Sequence, residues 1–535
     1  MGAAAWTIGH FIVETLAANG IDTVFGIPGV HNIELYRGLE GARLRHVLAR
    51  HEQNAGFASD GYARASGRCA AAFVISGPGV TNVLTAVAQA YSDSVPLLVI
   101  ASSPARPSLG QGWGVLHELR DQRSLAAQAF GFAGSAREAC ELPGQLRAAF
   151  ASLRAARPRP AYVEVPLDLL GTETTLRAER YPAPPSPPAP PGPAVALARE
   201  WLRVAERPAL IIGGGARSAG AAARTLVEAL DGYLVSTVAA KGSVAESHPA
   251  NLGTSLPYRP TQELLADADV VIAAGTELSE SDLYTTTRLP LRGRLIRIDV
   301  DPGKLNDHYA AALPIEADAA ATLTALAAEL PRRTGWRTHY GDAAAHRARI
   351  DAGFDAETHG RLRALRAVRA ALPADAVIFS DMTQIAYLGN YAFPAERPGL
   401  WHHPSGYGTL GYALPAALGA KVAQPERPVL ALAGDFGAQF TLAELMTAVE
   451  LDVSLPVIVW NNEALGQIRD DMEAAGIAPI GVQGRNPDFV ALAAAYGAAA
   501  ARVHSPQELT RSVRDALGRA GPTLVEAVAA DFRRS

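Results

Sequence analysis

Two polar residues stand at the ends of two apolar runs in the last third of the sequence. Asp435 follows the run PVLALAG, and Asn462 lies 27 residues further on, at the end of LPVIVWNN. Between them, apolar residues recur at helical spacing: Leu442, Leu445, Met446 and Val449. The pattern predicts a strand–helix–strand unit over residues 428–462, whose parallel strands end at one edge. Asp435 and Asn462 would offer oxygen atoms there, and Mg²⁺ prefers oxygen ligands and phosphate.

Gly434 and Gly437 flank Asp435, and glycine lets backbone N–H groups approach a phosphate closely. A turn aspartate and a capping asparagine would explain the same residues without any ligand. Asp435-Phe436-Gly437 also matches the D-F-G of protein kinases. The glycine-rich stretch GYGTLG (406–411), however, is fewer than thirty residues away, and no H-R-D occurs. GYGTLG also follows loop-like residues rather than a strand, which argues against a dinucleotide loop. We therefore reject the kinase interpretation.

The composition is that of a globular protein without an evident nucleic-acid or membrane partner. The chain has 535 residues, of which 49% are hydrophobic and 19% charged, and a formal net charge of −5. This length predicts several domains, and the charge gives no reason to expect binding to nucleic acid or membranes. Cys69 and Cys140 are the only cysteines, which excludes a disulfide framework. With no signal-peptide pattern and no membrane-spanning run, we expect a cytoplasmic protein.

Short β-branched runs alternate with Ala-rich helical stretches along the whole chain. This rhythm predicts an α/β fold of three doubly wound parallel-sheet domains. The segment YPAPPSPPAPPGPA (181–194) predicts a stiff linker, because proline fixes φ and lacks an N–H. A polar, basic stretch near 330–360 predicts a second boundary. The predicted domains are residues 1–180, 195–335 and 336–535.

The stretch around Asp435 and Asn462 resembles the G-D-G…N-N signature of thiamine-diphosphate enzymes, such as acetolactate synthases and 2-oxo-acid decarboxylases. The resemblance implies that Asp435, Asn462 and the carbonyl of Ala464 bind the Mg²⁺ that holds the diphosphate. The neighbouring positions expected to contact the cofactor are Gly434, Phe436, Gly437 and Leu465. Phe436 departs from the family, which usually has glycine at that position, so the local geometry of the motif is open.

A second stretch, RHVLARHEQNAGFASDGYARASG, resembles the glutamate segment of the same family. It implies that Glu52 contacts N1′ of the aminopyrimidine and activates the cofactor by exchanging a proton with it. The alternative is a glutamate in the first turn of a helix, where the dipole favours it. FGIPGVHN is similar to the family's G-x-P-G loop, with Pro28 beside the pyrimidine. ISGPGVTN is similar to its G-P-G-x-T-N turn, with Asn82 in the same pocket.

HPSGYGTLGYALPAALGAK (403–421) is similar to the segment that carries the aminopyrimidine. The carbonyl of Gly408 would accept a hydrogen bond from N4′, and Leu410 would separate the two rings of the cofactor. SDMTQ occupies a diphosphate-contacting position, with Thr383 and Gln384 as candidates.

The resemblance spans nearly the whole chain in the family's order and identifies the three domains as pyrimidine-binding, central Rossmann-like and diphosphate-binding. In this family the glutamate-bearing domain of one chain faces the diphosphate domain of another. We therefore expect a homodimer or homotetramer with active sites at the interface. Some relatives hold FAD in the central domain. The turn IIGGGARSAG is weak support for that, and FAD is not expected here.

Enzymes of this family share an initial decarboxylation of a 2-oxo acid, and proton donors then favour release of an aldehyde. His117 stands where acetolactate synthases tend to have glutamine, so it and His31, His402 and His403 are candidate proton donors. Each could equally be a structural, hydrogen-bonded histidine. The first prediction is thus a non-oxidative 2-oxo-acid decarboxylase. The alternatives are an acetolactate-synthase-like carboligase and a thiamine-diphosphate binder without turnover.

Several stretches are most similar to the 5-guanidino-2-oxopentanoate decarboxylase subgroup, among them LHELRDQRSL and GIAPIGVQGRNPDF. This similarity implies a cationic substrate, because a carboxylate can bind a guanidinium through two hydrogen bonds. The candidate substrate-contacting residues are Gln122, Glu463, Asp470 and Asp471. An exposed acidic helix face would explain the last three equally well.

Overall fold

Residues 6–332, 337 and 341–533 are described by the computed structural model. The first sheet has six parallel strands in the order β2-β1-β3-β4-β6-β5. These strands are β1 (Thr23–Gly26), β2 (Arg45–Leu48), β3 (Ala71–Val74), β4 (Leu98–Ser103), β5 (Phe132–Ser135) and β6 (Ala161–Pro166). The helices around it are Ile8–Ala18, Ile33–Leu39, Glu52–Ser66, Pro78–Ser92, Gln122–Ala126, Leu142–Leu153 and Leu167–Leu170.

The second sheet has five parallel strands in the order β11-β10-β9-β7-β8. They are β7 (Pro208–Ile212), β8 (Tyr233–Ser236), β9 (Val270–Ala274), β10 (Arg294–Asp299) and β11 (Leu313–Glu316), with helices Gly192–Val204, Gly220–Leu230, Arg259–Asp267 and Ala319–Ala327. In its glycine-rich turn, a Cβ on Gly213 would lie 2.3 Å from the carbonyl oxygen of Gly275. Close packing between two turns therefore explains glycine at this position without a bound nucleotide.

The third sheet has six parallel strands in the order β13-β12-β14-β15-β17-β16. They are β12 (Val377–Ser380), β13 (Trp401–His402), β14 (Val429–Gly434), β15 (Leu455–Asn461), β16 (Ala499–Val503) and β17 (Pro522–Val528). Its helices are Ala343–Asp351, Ala356–Ala371, Gln384–Ala392, Ala413–Ala423, Asp435–Thr441, Glu444–Glu450, Gly466–Ala474, Phe489–Ala495, Pro506–Leu517 and Ala529–Phe532.

Each sheet is covered by a hydrophobic cluster on both faces. The long strands consist of β-branched and other apolar residues because both of their faces are buried, as in parallel sheets generally. The predicted fold class, three parallel-sheet α/β domains, is confirmed. No described helix is both long enough and apolar enough to cross a membrane.

Two predicted elements differ in detail. Residues 174–191 have no helix or strand, but Gly192–Val204 is helical, so the last part of the predicted 181–194 linker forms a first helical turn. Proline is tolerated there because the first N–H groups of a helix lack intrahelical partners. The crossover after β14 is two short helices, Asp435–Thr441 and Glu444–Glu450, and the first begins at Asp435 itself.

A pair of helices joins the first domain directly to the third. Glu52–Ser66 crosses Ala413–Ala423 so closely that a Cβ on Gly61 would lie 1.9 Å from the carbonyl oxygen of Ala416. A Cβ on Gly419 would likewise lie 1.8 Å from the carbonyl oxygen of Ala58. Only glycine allows two helix backbones to approach this closely. The helix that begins with Glu52 is therefore fixed against the helix that follows Gly408 and Leu410.

Candidate active site

The first group of candidate residues lies at the carboxyl edge of the first sheet, as expected for parallel α/β domains. Glu52 is the first residue of its helix and only 9% exposed. Asn82, on the helix Pro78–Ser92, donates a hydrogen bond to Glu52 Oε2 over 2.9 Å. Pro28 lies exposed in the loop after β1. Burial, followed by the nearby Glu52 charge, raises the pKa of Tyr36. We call the hydrogen-bonded pair of Glu52 and Asn82 the glutamate corner.

Two histidines lie beside Ser76 and Gly77, which precede the helix that carries Asn82. The ring of His31 lies 4.8 Å from that of His117, measured between centroids, and His31 Nδ1 is 2.5 Å from Ser76 Oγ. Burial and the neighbouring His117 lower the pKa of His31. His117 has a left-handed backbone, with φ of 63°, and its Nδ1 is buried without a hydrogen-bond partner among the described residues. The structure therefore brings together two of the four predicted proton donors.

His402 and His403 lie elsewhere, in the interior of the third domain. Both are buried, and His403 Nδ1 is 2.9 Å from Ser380 Oγ. Burial, with a smaller contribution from Arg64, lowers the pKa of His403 to about 3. Burial and three arginines lower the pKa of His402 as well. Burial thus favours the neutral form of both rings, and their Nε2 atoms have no hydrogen-bond partner among the described residues.

The second group lies at the carboxyl ends of β14 and β15, which are parallel neighbours as predicted. Asn462 Oδ1 lies 2.9 Å from the carbonyl oxygen of Ala464 and 3.0 Å from Asp435 Oδ1. Rotating the amide by half a turn would convert these contacts into two hydrogen bonds, because Nδ2 would then face both oxygens. With Oδ1 inward, its separations from the other two oxygens are those expected for adjacent ligands of an octahedral cation with metal–oxygen bonds of about 2.1 Å.

This oxygen cluster fits a divalent cation. Its donors are one carboxylate, one amide and one carbonyl, the hard ligands that such ions take. Glu463, between Asn462 and Ala464, has a left-handed backbone with φ of 56°. It forms the bend that places Asn462 and Ala464 beside each other. No group of three or more His, Cys, Asp or Glu suited to a metal occurs in the described part of the chain, so this mixed set is the candidate cation site.

Asn486 also belongs to this cluster, and its role was missed from sequence. Its Nδ2 donates to Asp435 Oδ2 over 2.7 Å and to Asn461 Oδ1 over 2.8 Å. Burial raises the pKa of Asp435, and the hydrogen bond from Asn486 opposes that effect. The ring of Phe436 lies against Gly484 of the same loop, where a Cβ would be 2.8 Å from Cζ. Phe436 therefore packs on the loop that brings Asn486 to Asp435.

The segment that precedes Ala413–Ala423 is held from two sides. Asp381 is buried at the end of β12 and accepts hydrogen bonds from the backbone N–H of Met382 and Gly411, at 2.8 and 2.9 Å. Burial raises the pKa of Asp381 to about 6. From the other side, Gly406 N donates to Asp93 over 2.9 Å. Gly408 is exposed, with φ of 71°, and Leu410 is half-buried.

Thr383 and Gln384, the two candidates for contact with the diphosphate, each lie beside another candidate residue. Thr383 Oγ1 would be 2.8 Å from a Cβ on Gly434, so Thr383 stands over the turn before Asp435. Gln384 Nε2 donates to Asp470 Oδ2 over 2.6 Å. Asp470 also accepts from Arg469 at 2.8 Å, so both of its carboxylate oxygens already have partners.

Glu52 makes its side-chain hydrogen bond within its own domain, to Asn82. Among the described residues, no hydrogen bond joins Glu52 to the oxygen cluster. Exposed apolar side chains lie on loops and helices of the same two domains. Val30, Trp113 and Leu116 belong to the first domain, and Tyr407, Phe440 and Ile468 to the third. These surfaces are of the kind that a second chain would cover.

Three family descriptions match the chain: "Thiamine pyrophosphate enzyme, N-terminal TPP binding domain" over residues 6–125, "central domain" over 195–326 and "C-terminal TPP binding domain" over 381–527. The chain is 49% identical to a "Probable 2-ketoarginine decarboxylase AruI" of Pseudomonas aeruginosa, over 97% of this chain and 93% of the relative. It is 30% identical to the acetolactate synthase isozyme 1 large subunit of Escherichia coli K12, over 97% and 93% of the two chains.

The matched ranges agree with the geometry. The N-terminal match contains Glu52 and Asn82, and the C-terminal match contains Asp435, Asn462 and Ala464. Glu52 and the oxygen cluster therefore lie in two different matched domains of the chain. The chain belongs to the thiamine pyrophosphate enzyme family.

Proposed function

We propose that this protein is a thiamine-diphosphate- and Mg²⁺-dependent decarboxylase of a 2-oxo acid with a cationic, guanidino-bearing side chain. The observation that carries the proposal is the oxygen cluster of Asp435, Asn462 and Ala464, with separations of 2.9 and 3.0 Å. The substrate class is supported by the 49% identity to a probable 2-ketoarginine decarboxylase over 97% of the chain.

Each corner contributes a distinct part of the chemistry. Thiamine diphosphate, when bound, supplies a thiazolium carbon that adds to the substrate carbonyl and accepts the electrons released with CO₂. Asp435, Asn462 and Ala464 would hold Mg²⁺, and Thr383 and Gly434 would contact the diphosphate that it binds. Glu52 would hold a proton against the aminopyrimidine, and Asn82 keeps Glu52 oriented through its 2.9 Å hydrogen bond.

The paired His31 and His117 would supply the proton that ends the reaction as an aldehyde. Their rings are 4.8 Å apart and lie beside Ser76 and Gly77, which precede the helix that carries Asn82. Imidazole is the most frequent general acid in enzymes, and either ring of the pair could donate its N–H proton. In a decarboxylase this proton goes to the carbon that lost CO₂, whereas in a carboligase it goes to the carbonyl oxygen of the second 2-oxo acid.

For the cationic end of the substrate, Glu463 is the best-placed carboxylate of the three predicted after Asn462. Glu463 is exposed, and its side chain has no hydrogen bond or ion pair among the described residues. Asp470 is engaged by Gln384 and Arg469, and Asp471 accepts from Gln467 over 3.0 Å. Gln122 is buried behind the glutamate corner and would act on the substrate only through its neighbours.

The test is product analysis with the full-length protein, thiamine diphosphate and Mg²⁺, using 5-guanidino-2-oxopentanoate, pyruvate and other 2-oxo acids. We expect CO₂ and the aldehyde, with the guanidino acid preferred. Glu52→Gln should lose turnover by at least roughly 100-fold, because general acid–base catalysis contributes about 10²–10⁴. Cofactor binding, followed by calorimetry, should be largely retained. Full activity in the variant would contradict the assignment of Glu52.

The second candidate is a carboligase that joins two 2-oxo acids. It is favoured by the 30% identity to acetolactate synthase large subunits. The same incubation separates the possibilities, because acetohydroxy acids in place of aldehyde would establish the carboligase. No CO₂ from any substrate would instead indicate a thiamine-diphosphate binder without turnover.

A further inference from the structure

A cavity of about 540 Å³ opens at the carboxyl edge of the first sheet, beyond the ends of β4, β5 and β6. This volume is in the range of small-molecule sites. The chemistry above does not use it. Ser103 and Glu164 form part of its lining, together with Gln122 and Gln145. We call this space the β4–β6 cavity.

The inner wall of the β4–β6 cavity has unused hydrogen-bonding groups. Glu164 is only 5% exposed, and its Oε2 accepts from Tyr162 and Gln122, at 2.8 and 3.0 Å. Among the described residues no donor reaches its other oxygen, Oε1. Ser103 Oγ is buried and, within the same residues, also has no partner. A buried carboxylate is costly unless it is paired, so this wall is suited to a cationic donor.

The rim carries the opposite charge. Arg120, Arg123 and Arg137 line the opening, and none of their guanidinium groups has a hydrogen bond or ion pair within the described residues. The acidic residues at the rim keep their charge: Asp121 accepts from Ser124 and is attracted by Arg123 and Arg137, and Glu141 accepts from the backbone N–H of Arg137 and Glu138. The lining therefore carries three guanidinium groups and three carboxylates, of which Glu164 forms the inner wall.

We propose that the β4–β6 cavity binds an acidic amino acid, with its ammonium at Glu164 and its two carboxylates at the arginine rim. Arginine binds carboxylates through paired hydrogen bonds, and an ammonium supplies the donor that Glu164 Oε1 lacks. Each charged group of such a ligand would then face a side chain of the opposite charge.

The site is connected to the glutamate corner through Gln122. Gln122 Nε2 donates to Glu164, and Gln122 Oε1 accepts from the backbone N–H of Gly77 over 2.8 Å. Gly77 caps the helix that carries Asn82, and Asn82 holds Glu52. A ligand that binds Glu164 would therefore shift Gln122 and, through Gly77, the helix that carries Asn82. Because Asn82 orients Glu52, occupancy of the β4–β6 cavity should change turnover.

The binding test is calorimetric titration of L-glutamate and, in parallel, glutarate into the full-length protein loaded with thiamine diphosphate and Mg²⁺. Glutarate has the same two carboxylates and lacks the ammonium. We expect L-glutamate to bind roughly tenfold more tightly, as one charge-assisted hydrogen bond allows. Glu164→Gln should abolish that difference, and Arg137→Gln, at an exposed position, should weaken both ligands. Equal affinities for the two ligands, or no binding of either, would overturn the proposal.

The coupling test measures decarboxylation with and without L-glutamate. We expect kcat to change by roughly fivefold in the wild-type protein, and Arg137→Gln, which should keep its basal turnover, should need more L-glutamate for the same change. An increase in KM alone, reversed by excess substrate, would place L-glutamate in the substrate site and overturn the assignment. Binding without any change in turnover would overturn the coupling. Because calorimetry does not depend on turnover, failure of the proposed decarboxylase activity would be seen separately.

Discussion

At the scale of single residues, the candidate cation site depends on a side chain that the family motif does not name. Asn486 Nδ2 bridges Asp435 and Asn461, and its Oδ1 accepts from Gln439 over 3.0 Å. Partners of this kind fix the rotamer of a metal ligand, and their loss typically costs metal affinity 10- to 100-fold, as an order of magnitude.

Asn486→Ala should therefore weaken Mg²⁺ binding by roughly tenfold while leaving the fold intact. The measurement is a Mg²⁺ titration of the thiamine-diphosphate-loaded protein, followed by calorimetry. Gln128→Ala, at an exposed position in the first domain, is the matched control and should bind as the wild type does. Unchanged affinity in Asn486→Ala would show that the hydrogen bond to Asp435 does not support the site.

The residues that sequence could reveal are those whose spacing is local. Asp435 and Asn462 stand at the ends of adjacent strands, so their encounter follows from the strand–helix–strand pattern. Asn486 reaches Asp435 from a loop 51 residues further along, and Asp381 meets the Gly411 backbone from another strand. Such contacts depend on loop conformation, for which the sequence carries no periodic signal. His402 and His403 were predicted as proton donors from their residue type, but the sequence pattern around them did not reveal that both are buried.

At the scale of elements, the crossing of Glu52–Ser66 over Ala413–Ala423 is the least tolerant contact described. A Cβ on Gly419 would overlap the backbone of Ala58, and helix backbones cannot move apart without separating the two domains.

Gly419→Val should destabilise the protein by about 3 kcal/mol, at the upper end of overpacking effects. Gly144→Ala is the control, because Gly144 is also helical and has nothing within 4 Å of an added Cβ. That change should be neutral or stabilise by up to about 1 kcal/mol, since alanine favours helices. Urea unfolding measures both. Equal stability of the two variants would mean that the crossing relaxes at little cost.

Long strands were predictable because burial on both faces makes them continuous apolar runs, as in β6, β14 and β15. Short strands such as β5 and β13 were not, because four residues or fewer give no reliable pattern. The helix starting at Asp435 was also missed. There β14 ends at Gly434, which is also the N-cap of the helix, so no separate turn marks the helix start, and the amphipathic spacing begins only later.

At the scale of the whole molecule, the glutamate corner and the oxygen cluster lie on different domains, and both of these domains expose apolar side chains. We expect the active site to form between two chains. Glu52→Gln and Asp435→Asn should each be inactive alone. Co-expressed, they should recover roughly a quarter of wild-type activity, since half of randomly formed dimers would hold one intact site of two.

Recovery of activity in the co-expressed sample is the measurement, and doubly tagged hybrids purified from it should reach roughly half of wild-type activity. Co-expression of Glu52→Gln with a second inactive glutamate-corner variant, Asn82→Asp, is the control, because no hybrid of those two chains has an intact corner. If the site instead formed within one chain, neither mixture would recover activity.

Stability should fall in acid through histidines that are buried in the neutral form. Burial, with Arg349 and Arg347, lowers the pKa of His346 to about 4. The unfolded chain takes up this proton near pH 6.5, so the stability that neutral His346 provides is present above pH 6.5 and is lost as pH falls towards 4. His346→Gln keeps a donor for Thr261 and removes the titration. Its melting temperature should fall less than that of the wild type over this window, whereas parallel curves would contradict the assignment.

The segment 174–191, which has no helix or strand, separates the polypeptide into a shorter part with Glu52 and a longer part with Asp435. The close contact between helices Glu52–Ser66 and Ala413–Ala423, rather than this segment, holds the two parts against each other. A single peptide bond broken in the segment would leave both fragments assembled. The protein is therefore suited to production from two separate reading frames, with each half of the catalytic apparatus exchanged independently of the other.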